Sequence, residues 1–343
     1  MNKILVITEN ISEPIDEGIK KISYYMARYI AGMNSENLIY SLYPNKDIPN
    51  IEFLPKNKLL FSISFLKNIR LFRPNLLIYI PSSSSTLMSF IRLGIVSAFL
   101  RTSQIIMVSL QERKHNAVSR KLIRILKPDS LIVLSRKEAD YYTSLGINCL
   151  VSPIGVETEK FDISKIEKRS LREKLNLPLD RKIILHVGHI KEGRNLRVLE
   201  KLIAYGFHIV IVSSTRFESD KKLKSELEGK GYLFITSYIK NIEEYYQASD
   251  VYVFPVESAT NAMEFPMSIL EAMSCNLPVI TTKFGGIESF LSETNWLKFF
   301  GNENELRDKI LTLPENRECE NRKLVLSKFT WSNVFKNLFE NIR

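Results

Sequence analysis

Short apolar runs alternate with amphipathic segments along the first half of the chain. An apolar run bounded by turn residues is typical of a buried strand, and apolar residues three or four apart are typical of a helix. Helices are predicted near residues 17–31, 85–100, 117–126 and 136–145. The strands predicted around them are Ile4–Thr8, Leu38–Leu42, Leu76–Ile80, Ile105–Ser109, Leu131–Ser135 and Cys149–Ser152. Such alternation predicts an open parallel sheet covered by helices on both faces.

A second series of the same kind follows the charged stretch 157–172. We therefore predict an α/β chain of two doubly wound domains, at residues 1–165 and 172–325, followed by an amphipathic helix at 328–343. Helices of the second series are predicted near 194–204, 219–229, 241–248 and 266–275. Its strands are predicted at Ile183–Val187, Ile209–Ser213, Leu233–Thr236, Val251–Pro255, Val279–Thr282 and Leu297–Phe300.

The composition is that of a globular protein of two domains. The chain has 343 residues, of which 45% are hydrophobic and 25% are charged. No apolar run approaches the roughly 18 residues that span a bilayer, and the N-terminal run is too short for a signal peptide. Cys149, Cys275 and Cys319 are far apart and odd in number, which favours a reducing compartment. The sequence thus predicts a cytoplasmic protein.

Positive charge is concentrated in the first half. Residues 1–170 hold 24 basic and 15 acidic residues, whereas residues 171–343 hold 24 and 23. This imbalance suggests an anionic partner, such as a membrane surface at the cytosolic face, although a solvated basic face explains it equally well. The apolar stretch 87–100 is either a helix lying on that surface or a buried helix. No nucleic-acid-binding motif appears, so nucleic acid is not predicted as a partner.

The most informative motif joins a loop, a helix, a strand and a glycine turn between residues 264 and 286. Glu271 lies about one turn into the predicted helix, where its carboxylate could accept two hydroxyls of a ribose. The helix start and the backbone of Gly285 and Gly286 could hold a phosphate. The motif predicts a nucleotide-sugar site, and the alternative is an exposed first-turn acid at Glu271.

A second motif, at residues 184–196, reads as a strand, a loop and a helix start. Lys191 and Arg194 form a candidate pair of cations that would offset the charge of a diphosphate. The alternative for Arg194 is a solvated helix start. No CxxC, HExxH or Asp-x-Asp motif is present, so no metal site is predicted.

Together these segments resemble the retaining glycosyltransferases of the GT-B fold, in the large family-four (group 1) class that includes sucrose synthase. The resemblance rests on Glu271-Ala-Met, Pro278-Val-Ile and Gly285-Gly286, and it extends diffusely from Lys3 to Ile342. The family typically has Glu-Gly-Phe-Gly eight residues before its second acid. Here Glu264 precedes Glu271 by seven residues and both glycines are missing.

The resemblance implies two facing Rossmann-like domains, with the donor in the second, the acceptor in the first and the last helix crossing back to the first. It further implies retaining, metal-independent transfer of a hexose-type sugar from a nucleotide-diphosphate sugar to a hydroxyl of a glycan or lipid-linked acceptor, with no other cofactor. Lys191 and Arg194 would stabilise the leaving diphosphate, and Glu264 would lie near the hydroxyls of the donor sugar. The residues implied in substrate binding are Glu271, Gly188, His189, Tyr238, Ile239, Gly285, Gly286, Gly18 and Gln111.

Other interpretations stay open at the level of sequence. Tyr238 is either a residue that stacks on the nucleotide base or a core tyrosine. His189 stands where the family has an arginine, and Gln111 near the position of a missing histidine. These departures could mark a nucleotide-sugar-binding pseudoenzyme with a regulatory role. A nucleotide-sugar epimerase shares the architecture but fits the motifs less well.

Overall fold

The computed structural model describes residues 3–15, 17–57, 59–100, 103–163, 166–213, 220–257, 263–314 and 319–342. The chain forms two compact units. The first unit comprises Met1–Ile154, Met263–Phe265 and Phe335–Arg343, and the second comprises Gly155–Ala262 and Pro266–Val334.

The first unit is built on a sheet of seven parallel strands in the order β3-β2-β1-β4-β5-β6-β7. The central strands of this sheet are buried on both faces, which explains why their sequences are continuous apolar runs. The order reverses between β1 and β4. The strands are β1 (Lys3–Asn10), β2 (Glu36–Tyr43), β3 (Ile51–Phe53), β4 (Leu76–Ile80), β5 (Gln104–Val108), β6 (Ser130–Val133) and β7 (Asn148–Val151).

Helices cover both faces of this sheet, and the last helix of the chain returns to it. The rings of Phe335 and Phe339 lie 5.3 and 5.7 Å from the ring of Tyr29, so the end of the chain packs on the first helix as predicted. The helices are α1 (Gly18–Ala31), α2 (Ile63–Phe72), α3 (Leu87–Phe99), α4 (Ala117–Ile125), α5 (Arg136–Ser144) and, at the C-terminus, α13 (Trp331–Asn341).

The second unit has a sheet of six parallel strands in the order β10-β9-β8-β11-β12-β13. Its strands are β8 (Lys182–Val187), β9 (Phe207–Val212), β10 (Leu233–Ile235), β11 (Val251–Phe254), β12 (Val279–Thr281) and β13 (Leu297–Phe299). The helices are α6 (Lys168–Lys174), α7 (Lys221–Gly229), α8 (Glu243–Ala248), α9 (Met267–Ser274), α10 (Ile287–Phe290), α11 (Glu303–Leu311) and α12 (Asn321–Lys328), with 3₁₀ helices at Glu192–Arg194 and Leu196–Tyr205.

The apolar segment 87–100 forms helix α3, which is buried along one side and exposes Met88 (41%) and Phe99 (39%). Helix α3 buries Phe90, Leu93 and Val96 in the core of the first unit, which explains its apolar character. In the part of the chain that the structure describes, no helix is both long and apolar enough to cross a membrane.

Candidate functional site

The candidate site of the second unit lies where its strand order reverses, between β8 and β11. In an open parallel sheet the loops at the carboxyl ends of the strands diverge at such a point and leave a crevice for a ligand. Strand β8 pairs with β11 through Ile184 and Val251, and its carboxyl end leads directly into Gly188 and His189. The second sequence motif therefore occupies the position where this architecture binds ligands.

Arg194 is a buried cation in this crevice. Only 6% of its surface is exposed, and among the described residues no carboxylate pairs with it. Its Nε atom has no hydrogen-bond partner there. Burial lowers the pKa of Arg194 to about 10, which leaves it charged at neutral pH. A buried guanidinium without a counter-charge is costly, so an anion bound beside Arg194 would be stabilising.

His186 lies beside this cation on β8 and is fully buried. Its Nδ1–H donates to the carbonyl of Val253 at 3.0 Å, and its Nε2 has no partner in the described structure. Burial and then the charge of Arg194 lower the pKa of His186 to about 3. The same two causes lower the pKa of His189 to about 4. Both imidazoles are thus neutral at neutral pH, and the positive charge of the site belongs to Arg194 and the exposed Lys191.

Gly188 is required by close packing between these groups. A Cβ atom at this position would lie 2.9 Å from His186 Nε2 and 3.2 Å from Arg194 Nη1. The imidazole cannot retreat easily, because its ring packs against Tyr252 and Phe254 at centroid distances of 6.3 and 6.0 Å. Any side chain at position 188 would therefore force the His186 imidazole or the backbone to shift and would press on the guanidinium.

We expect Gly188→Ala to destabilise the protein by about 1–3 kcal/mol, the usual cost of overpacking a well-packed core. The matched control is Gly229→Ala, because a Cβ there meets no atom within 4 Å. Urea denaturation of both variants measures the difference. Equal stability of the two variants would contradict the packing described for Gly188.

Glu271 lies on the side of α9 that faces the interior of the second unit. It is 6% exposed, and its Oε2 accepts a hydrogen bond of 2.8 Å from the hydroxyl of Tyr246. The alternative of an exposed first-turn acid is therefore wrong. Burial raises the pKa of Tyr252, the Glu271 carboxylate raises it further, and Arg194 opposes the rise. Tyr252 thus lies within electrostatic reach of both Arg194 and Glu271.

The other candidates of the second unit lie in loops after its strands. Tyr238 is 57% exposed, so it is not the core tyrosine of the alternative interpretation, and Ile239 is half-buried. Gly285 has a φ of +55°, a conformation that favours glycine, and Gly286 precedes α10. Among the described residues, no group of three or more His, Cys, Asp or Glu side chains could hold a metal ion.

Three further candidates belong to the first unit. Glu264 is 2% exposed, and its N–H donates to the carbonyl of Leu110 at 3.2 Å. Gln111 accepts a hydrogen bond of 3.0 Å from Arg113, and Gly18 begins α1. The structure therefore assigns Glu264 to a different unit from Lys191 and Arg194.

The sequence analysis missed a buried acid, Glu138, that is a neighbour of Glu264. Glu138 is 2% exposed, accepts a hydrogen bond from Ser109, and lies close enough to Glu264 to interact electrostatically. Burial raises the pKa of Glu138 to about 8 and also raises that of Glu264. At neutral pH, Glu138 is therefore largely protonated.

Comparison with known proteins identifies the second unit most clearly. The family model described as glycosyl transferases group 1 matches residues 167–324. TuaC of Bacillus subtilis (strain 168), whose name assigns it to teichuronic acid biosynthesis as a glycosyltransferase, is 29% identical over 43% of this chain and 36% of its own length. An Escherichia coli UDP-Gal:alpha-D-GlcNAc-diphosphoundecaprenol alpha-1,3-galactosyltransferase is 28% identical over 50% of this chain and 48% of its own. The chain thus spans about a third to a half of the length of these relatives.

Solved structures match the whole chain. Anabaena HepE in complex with UDP superposes with a TM-score of 0.76 at 15% identity, covering 99% of each chain. The glycosyltransferase WaaG, involved in lipopolysaccharide biosynthesis, superposes with a TM-score of 0.66 at 14% identity over 98% of each chain. At these identities the match shows the fold alone, and the predicted GT-B fold is confirmed.

Proposed function

We propose that this protein transfers a sugar from a nucleotide-diphosphate sugar to a hydroxyl group, since residues 167–324 match the family model of glycosyl transferases group 1. The observation that carries the proposal is the buried Arg194, which has no described carboxylate partner. The diphosphate of the donor is an anion that would supply the missing counter-charge. Its binding would also provide acceptors for the N–H groups of the guanidinium.

In this proposal, the cations act on charge that develops during the reaction. The bond between C1 of the sugar and the diphosphate oxygen breaks, and the acceptor oxygen forms a new bond to C1 from the same face. The acceptor proton passes to an oxygen of the leaving diphosphate, so the anomeric configuration is retained without a protein nucleophile. Arg194, which is buried, and Lys191, which is exposed, stabilise the departing negative charge. They supply this charge without a metal.

The nucleoside would be held by the interior face of α9. The hydroxyl of Tyr246 fixes the orientation of the Glu271 carboxylate. Glu271 is our candidate for binding the ribose hydroxyls. The exposed ring of Tyr238 is the candidate for stacking on the base. A UDP-hexose is the donor we favour, because Anabaena HepE, at 16% identity to this chain, has also been crystallised in complex with UDP-glucose. A glycan or lipid-linked hydroxyl is the proposed acceptor, in keeping with the name of the E. coli relative.

A panel of nucleotide sugars tests this proposal by thermal shift and by release of free nucleotide, with EDTA present. We expect one UDP-hexose to stabilise the protein by about 2.7 kcal/mol at a hundred times its Kd, since a ligand that binds only the native state stabilises it by mass action. The same donor should release nucleotide when an acceptor hydroxyl is supplied. Proton NMR of the product would show the retained anomer.

Two results would contradict the proposal in different ways. Stabilisation without release, with glycan and lipid-linked acceptors present, would identify a nucleotide-sugar-binding pseudoenzyme instead. No stabilisation by any donor would show that the pocket around Arg194 does not bind nucleotide sugars at all.

A further inference from the structure

Two buried acids of the first unit each leave one carboxyl oxygen unused. Oε2 of Glu138 and Oε1 of Glu264 are both buried, and neither has a hydrogen-bond partner among the described residues. Burying a polar oxygen without a hydrogen bond is costly. The two acids interact electrostatically, so they are neighbours. A hydrogen bond from one acid to the other would satisfy both oxygens at once.

Ser135, the N-cap of α5, touches both acids. Its hydroxyl oxygen accepts a hydrogen bond of 3.1 Å from the N–H of Glu138, and its hydroxyl donates to the carboxylate of Glu264. Ser135 and Glu138 have the spacing of a capping box, in which the acid would accept the N–H of the serine in return. The Glu138 carboxyl instead accepts from the hydroxyl of Ser109. Capping of the helix therefore does not explain why a carboxyl is buried at position 138.

A chain of hydroxyls ends on the other oxygen of Glu138. The hydroxyl of Tyr142 donates to Ser85 at 2.6 Å, and the hydroxyl oxygens of Ser85 and Ser109 lie 2.9 Å apart. Ser109 then donates to Oε1 of Glu138. Because Oε1 already accepts the proton of Ser109, the proton of a neutral Glu138 belongs on Oε2. Glu138 is thus a buried donor, and Oε1 of Glu264 is an unused acceptor beside it.

The charged groups that face the two acids are Glu112 and Lys137. Lys137 Nζ lies 3.1 Å from Oε2 of Glu112, so these two side chains form an ion pair. Burial is the main cause that raises the pKa of Glu138 and of Glu264, and the charge of Glu112 adds to it. Lys137 opposes the rise at Glu264. Of the two buried acids, Glu264 is therefore the one that the surrounding charges favour as the anion.

The remaining titratable groups on this side of the unit are neutral at neutral pH. Burial, and to a lesser extent the charge of Glu138, raises the pKa of Tyr142 and of Cys149. Nε2 of His115 lies 3.1 Å from the hydroxyl of Tyr142, and burial lowers the pKa of this histidine. None of these three side chains supplies a charge that would replace the proton of Glu138.

We propose that Glu138 is a positioning residue for Glu264: its Oε2–H donates to Oε1 of Glu264, directly or through one water, and so keeps that carboxylate ionised and oriented. The other donors to Glu264 are the hydroxyl of Ser135 and the N–H of Glu112. A carboxylate accepts about four hydrogen bonds, so one position remains for a hydroxyl of a sugar substrate. The inference rests on the proposed function, since Glu264 is the acid implied near the hydroxyls of the donor sugar.

Carbon-13 NMR of labelled glutamate carboxyls tests this hydrogen bond without any substrate. Glu264→Gln identifies the resonance of Glu264, which is then titrated in the parent chain and in two variants at position 138. Glu138→Leu removes the donor and should raise the pKa of Glu264 by about 1, because a hydrogen bond to the charged form lowers the pKa of an acid. Glu138→Gln retains a neutral N–H donor and should leave the pKa of Glu264 close to its parent value.

Transfer kinetics test whether this orientation serves the reaction. With the UDP-hexose that releases nucleotide, Glu138→Leu should lower kcat/KM about tenfold at pH 7, since a hydrogen bond to a charged group is lost. Glu138→Gln should recover most of that loss. Burial raises the pKa of Glu138 to about 8, so the parent chain loses its donor above this pH. The kcat/KM of Glu138→Gln divided by that of the parent chain should therefore rise above pH 8.

Glu112→Gln is the matched control, because it converts a neighbouring acid to an amide and leaves the N–H of Glu112 in place. Its kcat/KM should still fall above about pH 8, as in the parent chain. Urea denaturation establishes that each variant is folded. If Glu138→Leu is not, the comparison of Glu138→Gln with the parent chain above pH 8 decides.

An unchanged pKa of Glu264 in Glu138→Leu would overturn the proposal. A constant ratio of kcat/KM between Glu138→Gln and the parent chain across pH 8 would do the same. Absence of nucleotide release from every donor would instead contradict the proposed function, and the NMR titration would still decide whether Glu138 donates to Glu264.

Discussion

Replacing Arg194 by Met should abolish most transferase activity while making the free protein more stable. We expect kcat/KM to fall by about 10²–10³-fold, the usual effect of losing one group that stabilises developing negative charge. Stability should rise because the guanidinium is 6% exposed and has no described carboxylate partner. Replacing buried charges by apolar groups of similar volume stabilises proteins by up to about 4 kcal/mol. Urea denaturation and steady-state kinetics on the same preparation measure both effects.

A second buried arginine of the same unit provides the control. Arg172 is 7% exposed, and its guanidinium contacts Asp250 at 2.5 Å and the carbonyl of Ala248 at 2.9 Å. Arg172→Met should therefore lower the free energy of unfolding by about 1.5–3 kcal/mol, because it removes charged hydrogen bonds to the half-buried Asp250 carboxylate, which keeps Lys168 as a partner. Opposite signs at the two positions are expected from the structure. A loss of stability at both would show that Arg194 has a structural partner and would remove the main support for anion binding.

Stabilisation by UDP should also distinguish the parent chain from Arg194→Met. UDP should stabilise the parent chain and fail to stabilise Arg194→Met, because the counter-charge for the diphosphate is gone. Full stabilisation of that variant by UDP would contradict the assignment of Arg194 to the diphosphate.

Much of the fold could be predicted because strands buried on both faces are continuous apolar runs. The elements that were missed lack this signal. Strand β3 has only three residues, and Phe53 within it is 72% exposed at the edge of the sheet. Helix α2 exposes Ile63 and Leu71, so its apolar residues do not mark a single face. The segment Leu196–Tyr205 was predicted as a helix and forms a 3₁₀ helix. The sequence pattern could not distinguish it from an α-helix, because the periods of the two helix types differ too little over ten residues.

The candidate site was less predictable because burial and unmet hydrogen bonds are properties of tertiary packing. The spacing of residues indicated Arg194, but not that the guanidinium is buried. His186 lies within an apolar run, so the pattern predicts only a residue in the core of a strand. Its Nδ1–H bonds to the carbonyl of Val253, 67 residues away, and this leaves Nε2 as the nitrogen without a described partner. Glu264 and Glu271 share one sequence motif, yet the chain passes from the first unit to the second between Phe265 and Pro266.

Replacing Lys191 by Ala should lower kcat by about 10²-fold or more while the Kd of the donor changes little. Lys191 is exposed at the start of the 3₁₀ turn that carries Arg194, and it forms no ion pair with a described residue. An exposed ammonium is well solvated before the reaction, so its interaction with the diphosphate should strengthen mainly as the leaving charge develops. An interaction made only in the transition state lowers kcat and kcat/KM equally. Stability should change by less than about 0.5 kcal/mol, as is usual for surface substitutions.

Two further variants make this expectation specific to position 191. Lys191→Arg keeps the charge and should recover part of the lost kcat, whereas Lys221→Ala removes an exposed lysine of the same unit and should leave kcat unchanged. A rise in donor Kd with kcat preserved would show that Lys191 contributes to binding of the ground state instead. Unchanged kcat and Kd would remove Lys191 from the site. Of the two proposed cations, Arg194 would then be the one that stabilises the leaving diphosphate.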